Sequence, residues 1–159
     1  MTEYYNEKLQ QGLEYQDFIF EQLKKMNDMP LFLGAYSSKK YQYEKGESLS
    51  GLEIKFDDKL SVTGNLFIET FEKTDAANKN YVRSGIMRCG NSWLYLIGNY
   101  KEAFIFSVSQ LRCYCENYQQ FTELKQVGSK TKTSIGILFP VSFIKKFNLC
   151  LKHLEFSIS

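Results

Sequence analysis

Histidine is almost missing from this chain: His153 is the only one in 159 residues. A single imidazole near the C-terminus argues against HNH-type nucleases, serine-triad hydrolases, most zinc hydrolases and phosphodiesterases with a histidine nucleophile. Hydrolytic chemistry here would have to run on carboxylates and lysine. Cysteine is sparse too. Cys89, Cys113, Cys115 and Cys150 form no C-x-x-C pair. Cys113 and Cys115 fall in a predicted helix, where residues two apart face different directions. Free thiols are therefore expected rather than a zinc site. No apolar run approaches the roughly 20 residues of a membrane span. Thr2, Glu3, Asn6 and Glu7 interrupt any secretory-type segment at the start, so a cytoplasmic protein is expected. A large charge excess is also absent. The formal net charge is +2, so any basic surface for nucleic acid must be local. There is no repeat, low-complexity tract or dividing linker, and residues 1–159 are read as a single domain.

What the chain does have is a core-forming composition. Hydrophobic residues make up 43% and aromatics 16%, with 13 Phe and 11 Tyr. The Phe residues suit a core. So many Tyr also suggest surfaces that stack or hydrogen-bond.

Periodicity predicts a first helix over about 2–26, with Leu9, Leu13, Phe20 and Leu23 at helical spacing. Asn27, Asp28 and Pro30 end it. A short apolar strand over 31–36 and a polar stretch over 37–46 follow, and then a strand over about 49–56. Thr63-Gly64-Asn65 is turn chemistry leading to a strand over 66–71, with a polar loop over 74–80. Strands over 93–97 and 103–108 flank a turn at Gly98-Asn99. A helix capped by Ser109 is predicted to run to about Tyr118. Residues 125–133 read as a basic loop or hairpin, 135–139 as a strand, 141–149 as a helix opened by Pro140, and 151–158 as an edge strand. This order predicts an α/β class, with α+β as the variant: a mixed central sheet flanked by helices.

The densest chemistry lies in Gly51-Leu52-Glu53-Ile54-Lys55-Phe56-Asp57. Strand alternation sends Leu52, Ile54 and Phe56 to one side, and Glu53, Lys55 and Asp57 to the other. Two carboxylates and an amine on one face suit a hard divalent cation with an ammonium beside a phosphate, the requirements of phosphodiester hydrolysis. The same triplet also fits a solvated strand face with weak ion pairs.

Glu53-x-Lys55-x-Asp57 is followed by Thr63-Gly64-Asn65-Leu66-Phe67-Ile68-Glu69, by Ser84-Gly85-Ile86, by Trp93-Leu94-Tyr95 and by Gly136-Ile137-Leu138-Phe139-Pro140. Over about 49–140 this series resembles the PD-(D/E)xK nuclease superfamily, and within it small phage-associated endonuclease-like proteins. The resemblance implies a restriction-endonuclease-like fold and Mg²⁺- or Mn²⁺-dependent cleavage of DNA, in a protein of phage or bacterial origin. It casts Glu53 as a catalytic metal ligand and Lys55 as the group that orients the attacking water or offsets phosphate charge. Asp57 and Glu69 would be further metal ligands. The family's upstream Asp is missing. Glu47, in Glu44-Lys45-Gly46-Glu47, is the nearest replacement, and Glu14, with Asp17 close behind, is the candidate acid from the first helix.

Lys39, Lys40, Tyr41 and Lys45 either follow a nucleic-acid backbone or form a solvated loop. Lys125, Lys130 and Lys132 carry the same two readings. Arg83 and Arg88 flank Ser84-Gly85-Ile86 and would meet phosphate if that segment borders the cleft. Asp57 and Glu69 have an alternative as partners of Lys59 or Lys73, and Trp93 is expected in the core. A duplex cutter of this size is expected to work as a homodimer, because one site cuts one strand at a time. The alternative function is a catalytically inactive nuclease-fold protein that binds nucleic acid or a host protein in phage–host conflict.

Overall fold

In a computed structural model of the chain, residues 3–27, 31, 51–90 and 92–157 are described. They form a mixed α/β fold with two four-stranded sheets and four α-helices. Helix α1 spans Glu3–Lys25. Its buried line is Tyr15, Ile19 and Leu23, a run of i, i+4 steps on one helical stripe. Leu9 and Leu13, expected on that stripe, are exposed. Leu13 precedes Tyr15 by two residues, about 200° around a helix that turns about 100° per residue. Asn27, at φ 55°, takes the left-handed conformation that commonly stops a helix.

The first sheet contains β1 (Leu52–Phe56), β4 (Leu94–Gly98), β5 (Glu102–Ser107) and β8 (Lys152–Glu155), in the order β1-β4-β5-β8. β1 runs parallel to β4, and the other two pairings are antiparallel. One face, with Leu52, Leu96, Ala103, Ile105 and Leu154, packs under α1. Burying each large side chain there contributes about 2 kcal/mol.

The other face carries Tyr95, Ile97, Phe104 and Phe106 into a second core. That core is completed by a second, fully antiparallel sheet: β2 (Asn65–Glu72), β3 (Val82–Arg83), β6 (Lys125–Gly128) and β7 (Ser134–Pro140), in the order β3-β2-β7-β6. Leu66, Ile68, Ile137 and Phe139 come from this sheet. Helices α3 (Val108–Glu116) and α4 (Val141–Lys146) add Leu111, Phe143 and Ile144.

Helix α2 (Leu60–Thr63) ends at Gly64, which is left-handed at φ 65°. The cap of α3 is Ser107, whose hydroxyl accepts from the Gln110 amide, rather than Ser109. The helix follows β5 without a loop, so its first turn begins two residues earlier than expected. No helix among the described residues is long and apolar enough to cross a membrane. The predicted strand over 31–36 lies, apart from Leu31, outside the described residues.

Candidate functional site

β1 alternates as expected. Leu52, Ile54 and Phe56 join the core beneath α1, while Glu53 and Lys55 project from the opposite face. They meet in an ion pair, with Lys55 Nζ 2.9 Å from Glu53 Oε1. Both are accessible: the side chains are 29% exposed at Glu53 and 45% at Lys55. Parallel pairing sets Glu53 beside Tyr95 and Lys55 beside Ile97 on β4. The site therefore has a polar rim on an apolar floor.

Tyr95 is the residue that the sequence alone did not single out. It is fully buried. Burial drives its phenol well above the ordinary range, and the negative charges of Glu53, Glu69 and Asp57 push it the same way. The charges of Glu53, Glu69 and Asp57, drawn from two sheets, thus all act on one buried phenol. Only the pairing of β1 with the distant β4 brings Tyr95 there, and no local motif carries that register.

Asp57 follows β1 and is buried. Its Oδ1 accepts from the Lys59 amide at 3.0 Å, and its Oδ2 from the Phe67 amide at 2.9 Å. Burial raises its pKa, and the two amide hydrogen bonds oppose that rise. Both oxygens already brace backbone, and the next residue ties in α1 through Lys8 Nζ to Asp58 Oδ2 at 3.0 Å.

Glu69 lies on β2, where its Oε1 accepts a short hydrogen bond from the buried Ser84 hydroxyl. Gly85 closes over it at φ 51°, and a Cβ at that position would stand 2.3 Å from the Glu69 carbonyl oxygen. Arg112 Nε donates to Ile86 O at 3.0 Å and its Nη2 to Arg88 O at 3.2 Å, holding this turn in place. Arg88 itself pairs with Glu72 at 2.9 Å, and Arg83 is exposed on β3.

Glu14 stands apart from this group. It is exposed on α1, where it accepts from Gln10 at 3.0 Å. Its charge acts on Tyr100, on the α1 side of the first sheet, whereas Glu53 projects from the other side. Glu47, Lys39, Lys40, Tyr41 and Lys45 lie outside the described residues. Lys125, Lys130 and Lys132 are exposed on the β6–β7 hairpin of the second sheet. Trp93 is not in the core: it is 65% exposed. Its indole needs the space that Gly51 leaves open at the start of β1.

Mg²⁺ binds few carboxylates and keeps water or phosphate oxygens as its remaining ligands. Glu53 and Glu69 are oxygen donors of the right kind. Among the described residues, however, no group of three His, Cys, Asp or Glu side chains stands close enough to hold a metal ion. Comparison of the chain with protein-family models, curated proteins and solved structures finds no match. The site must therefore be read from its own chemistry: an accessible carboxylate–ammonium pair above a buried phenol, with a second carboxylate oriented by Ser84.

Proposed function

We propose that the chain is a Mg²⁺-dependent endonuclease-like protein that hydrolyses DNA phosphodiester bonds at the Glu53–Lys55 pair. The observation that carries this reading is the placement of both side chains on the same side of the edge strand β1, 2.9 Å apart and accessible to a ligand. Lys55 supplies a cation for a non-bridging phosphate oxygen and can orient water for attack. Glu53 supplies a hard oxygen donor and sets the position of the Lys55 ammonium. Glu69, turned by Ser84, adds negative charge across the site. A divalent cation held at these acids would contribute positive charge against the phosphate and acidify water. The likeness to the PD-(D/E)xK pattern supports the same assignment.

The test is cleavage of supercoiled and linear DNA with Mg²⁺ or Mn²⁺, comparing wild type with Glu53→Gln. The expected result is metal-dependent cutting that falls about a hundredfold or more in the variant. Equal cutting by both proteins would remove the assignment.

A second reading, a nuclease-fold protein that binds nucleic acid or a host protein without cutting, is favoured by two observations. The upstream Asp of the PD-(D/E)xK pattern is missing from the sequence, and the net charge is only +2. Its mark is binding that persists under chelation.

A further inference from the structure

Trp93 is the only tryptophan in the chain, and it is spent on the surface. Large aromatic side chains dominate core energetics, so an indole that is 65% exposed calls for a reason. Its backbone is fixed from both sides. Trp93 N donates to Gly51 O at 2.9 Å, Leu94 N donates to the same oxygen at 2.6 Å, and Val108 N donates to Trp93 O at 2.9 Å. The side chain is fixed as well. A Cβ at Gly51 would stand 1.8 Å from Nε1 and 1.9 Å from Cδ1 of the indole, and Gly51 sits at φ 82°. Only glycine gives both this backbone conformation and room for the ring.

Its place relative to the site is set by register. Leu52 pairs with Leu94 and Glu53 with Tyr95, so Gly51 and Trp93 lie one step before these pairs. Gly51 and Trp93 stand just outside the two strands, and the indole packs against Gly51. The indole therefore lies against a residue only two positions before Glu53 in the chain.

We propose that Trp93 is a stacking platform for a nucleobase of an unpaired strand whose adjacent phosphate lies at Lys55. The inference rests on the nuclease reading of Glu53 and Lys55 and narrows its substrate to single-stranded, flapped or frayed DNA. Bases in an intact duplex already stack on each other, whereas an unpaired base gains by stacking on an exposed aromatic ring. A protein hot spot would centre such a ring in a desolvated apolar pocket; here the strand that follows Gly51 carries an acid and an amine, Glu53 and Lys55.

The lone tryptophan provides its own signal. Wild-type protein in calcium buffer, used to leave strands uncut, is titrated with an oligothymidine, with an abasic oligomer of equal length and with a duplex, following indole fluorescence. Oligothymidine should quench the signal, and the abasic oligomer and the duplex should quench it much less. Anisotropy with a labelled oligothymidine should show Trp93→Ala binding about tenfold more weakly and Trp93→Phe within about threefold of wild type. Gly51→Ala, which displaces the ring, should resemble Trp93→Ala. Equal quenching by the abasic oligomer, equal affinity of Trp93→Ala and wild type, or no binding of oligothymidine would each overturn the platform. Circular dichroism confirms that the variants are folded. The two readings fail separately. Glu53-dependent cutting of single strands at full rate by Trp93→Ala keeps the nuclease and removes the platform. Base-dependent quenching without cutting under any metal keeps the platform and removes the nuclease.

Discussion

The carboxylate of Asp57, just past the end of β1, accepts a hydrogen bond from the amide of Phe67 in β2 at 2.9 Å, so one side chain links the two sheets. The same group accepts from the Lys59 amide at 3.0 Å, and the Asp57 amide donates to Gly98 O at 2.7 Å. Asp57→Asn keeps the shape but turns an NH2 group toward one of those N–H donors. The variant should lose about 1–2 kcal/mol at neutral pH, the cost of a buried donor left unsatisfied. The pH dependence has a definite sign. Burial raises the folded pKa of Asp57 above its ordinary value, so the folded state holds the proton longer than the unfolded chain. This stabilising contribution is fully present below the unfolded value, about 3.9, and is lost as pH rises through the folded value. Urea midpoints across the acidic range should therefore show the advantage of wild type over Asp57→Asn shrinking as pH rises. A constant gap would mean that Asp57 does not titrate in this window.

Gly85 makes a second, sterically defined prediction. Its φ of 51° and the 2.3 Å approach of a would-be Cβ to Glu69 O leave no room for a side chain. Gly85→Ala should destabilise the fold by about 1–3 kcal/mol, through backbone strain and collision. The displaced turn should also carry the Ser84 hydroxyl away from Glu69. Ser84→Ala removes that hydrogen bond without the collision. Thermal melts of the two variants separate the causes: a loss in Gly85→Ala no larger than in Ser84→Ala would show that the turn relaxes freely.

Much of this was legible in the sequence because it is local. The α1 boundaries, the β1 alternation that exposes Glu53 and Lys55, the β2 strand after Gly64 and the β4–β5 pair all follow from period and turn residues. The misplacements have physical causes. Leu9 and Leu13 lie at helical spacing from each other, but the stripe that meets the sheet is fixed by Tyr15, Ile19 and Leu23. Trp93 looks like core by type, yet it stands just before β4 with its indole against Gly51 and is 65% exposed. Tyr95 enters the site, and Glu14 stays out of it, through the parallel pairing of β1 with β4 across some forty residues. Burial pattern alone cannot encode that register, nor the division into two sheets.

The cysteines make a third prediction. Cys89 and Cys113 are exposed, Cys150 is partly covered, and Cys115 is buried against α3's core face. Burial first, then the charge of Glu116, pushes the Cys115 thiol up to about 12. Thiolate is the reactive form, so Cys115 should resist a thiol reagent near neutral pH until the protein unfolds. Counting reacted thiols by mass should give two fast sites in the native state and four in denaturant. Fast labelling of Cys115 would show that α3 opens readily.

Lys55 separates function from stability. Its ion pair with Glu53 is short, at 2.9 Å, but the side chains are 45% and 29% exposed. Accessible pairs of this kind contribute about 0–1 kcal/mol, because water screens the charges and ordering two long side chains costs entropy. Lys55→Met keeps most of the aliphatic stem and removes only the ammonium. Its unfolding midpoint should stay close to that of wild type. Cleavage should fall about a hundredfold or more if the ammonium acts on water or phosphate. Lys55→Arg keeps the charge but presents a broad, planar donor in place of a compact one. It should retain binding to DNA and recover only part of the cleavage. A ribbon of decoupled outcomes, with stability flat and cleavage steeply graded from Lys to Arg to Met, is what a working ammonium requires. If cleavage instead tracks the unfolding midpoint across the series, Lys55 serves the fold and the chemistry lies elsewhere.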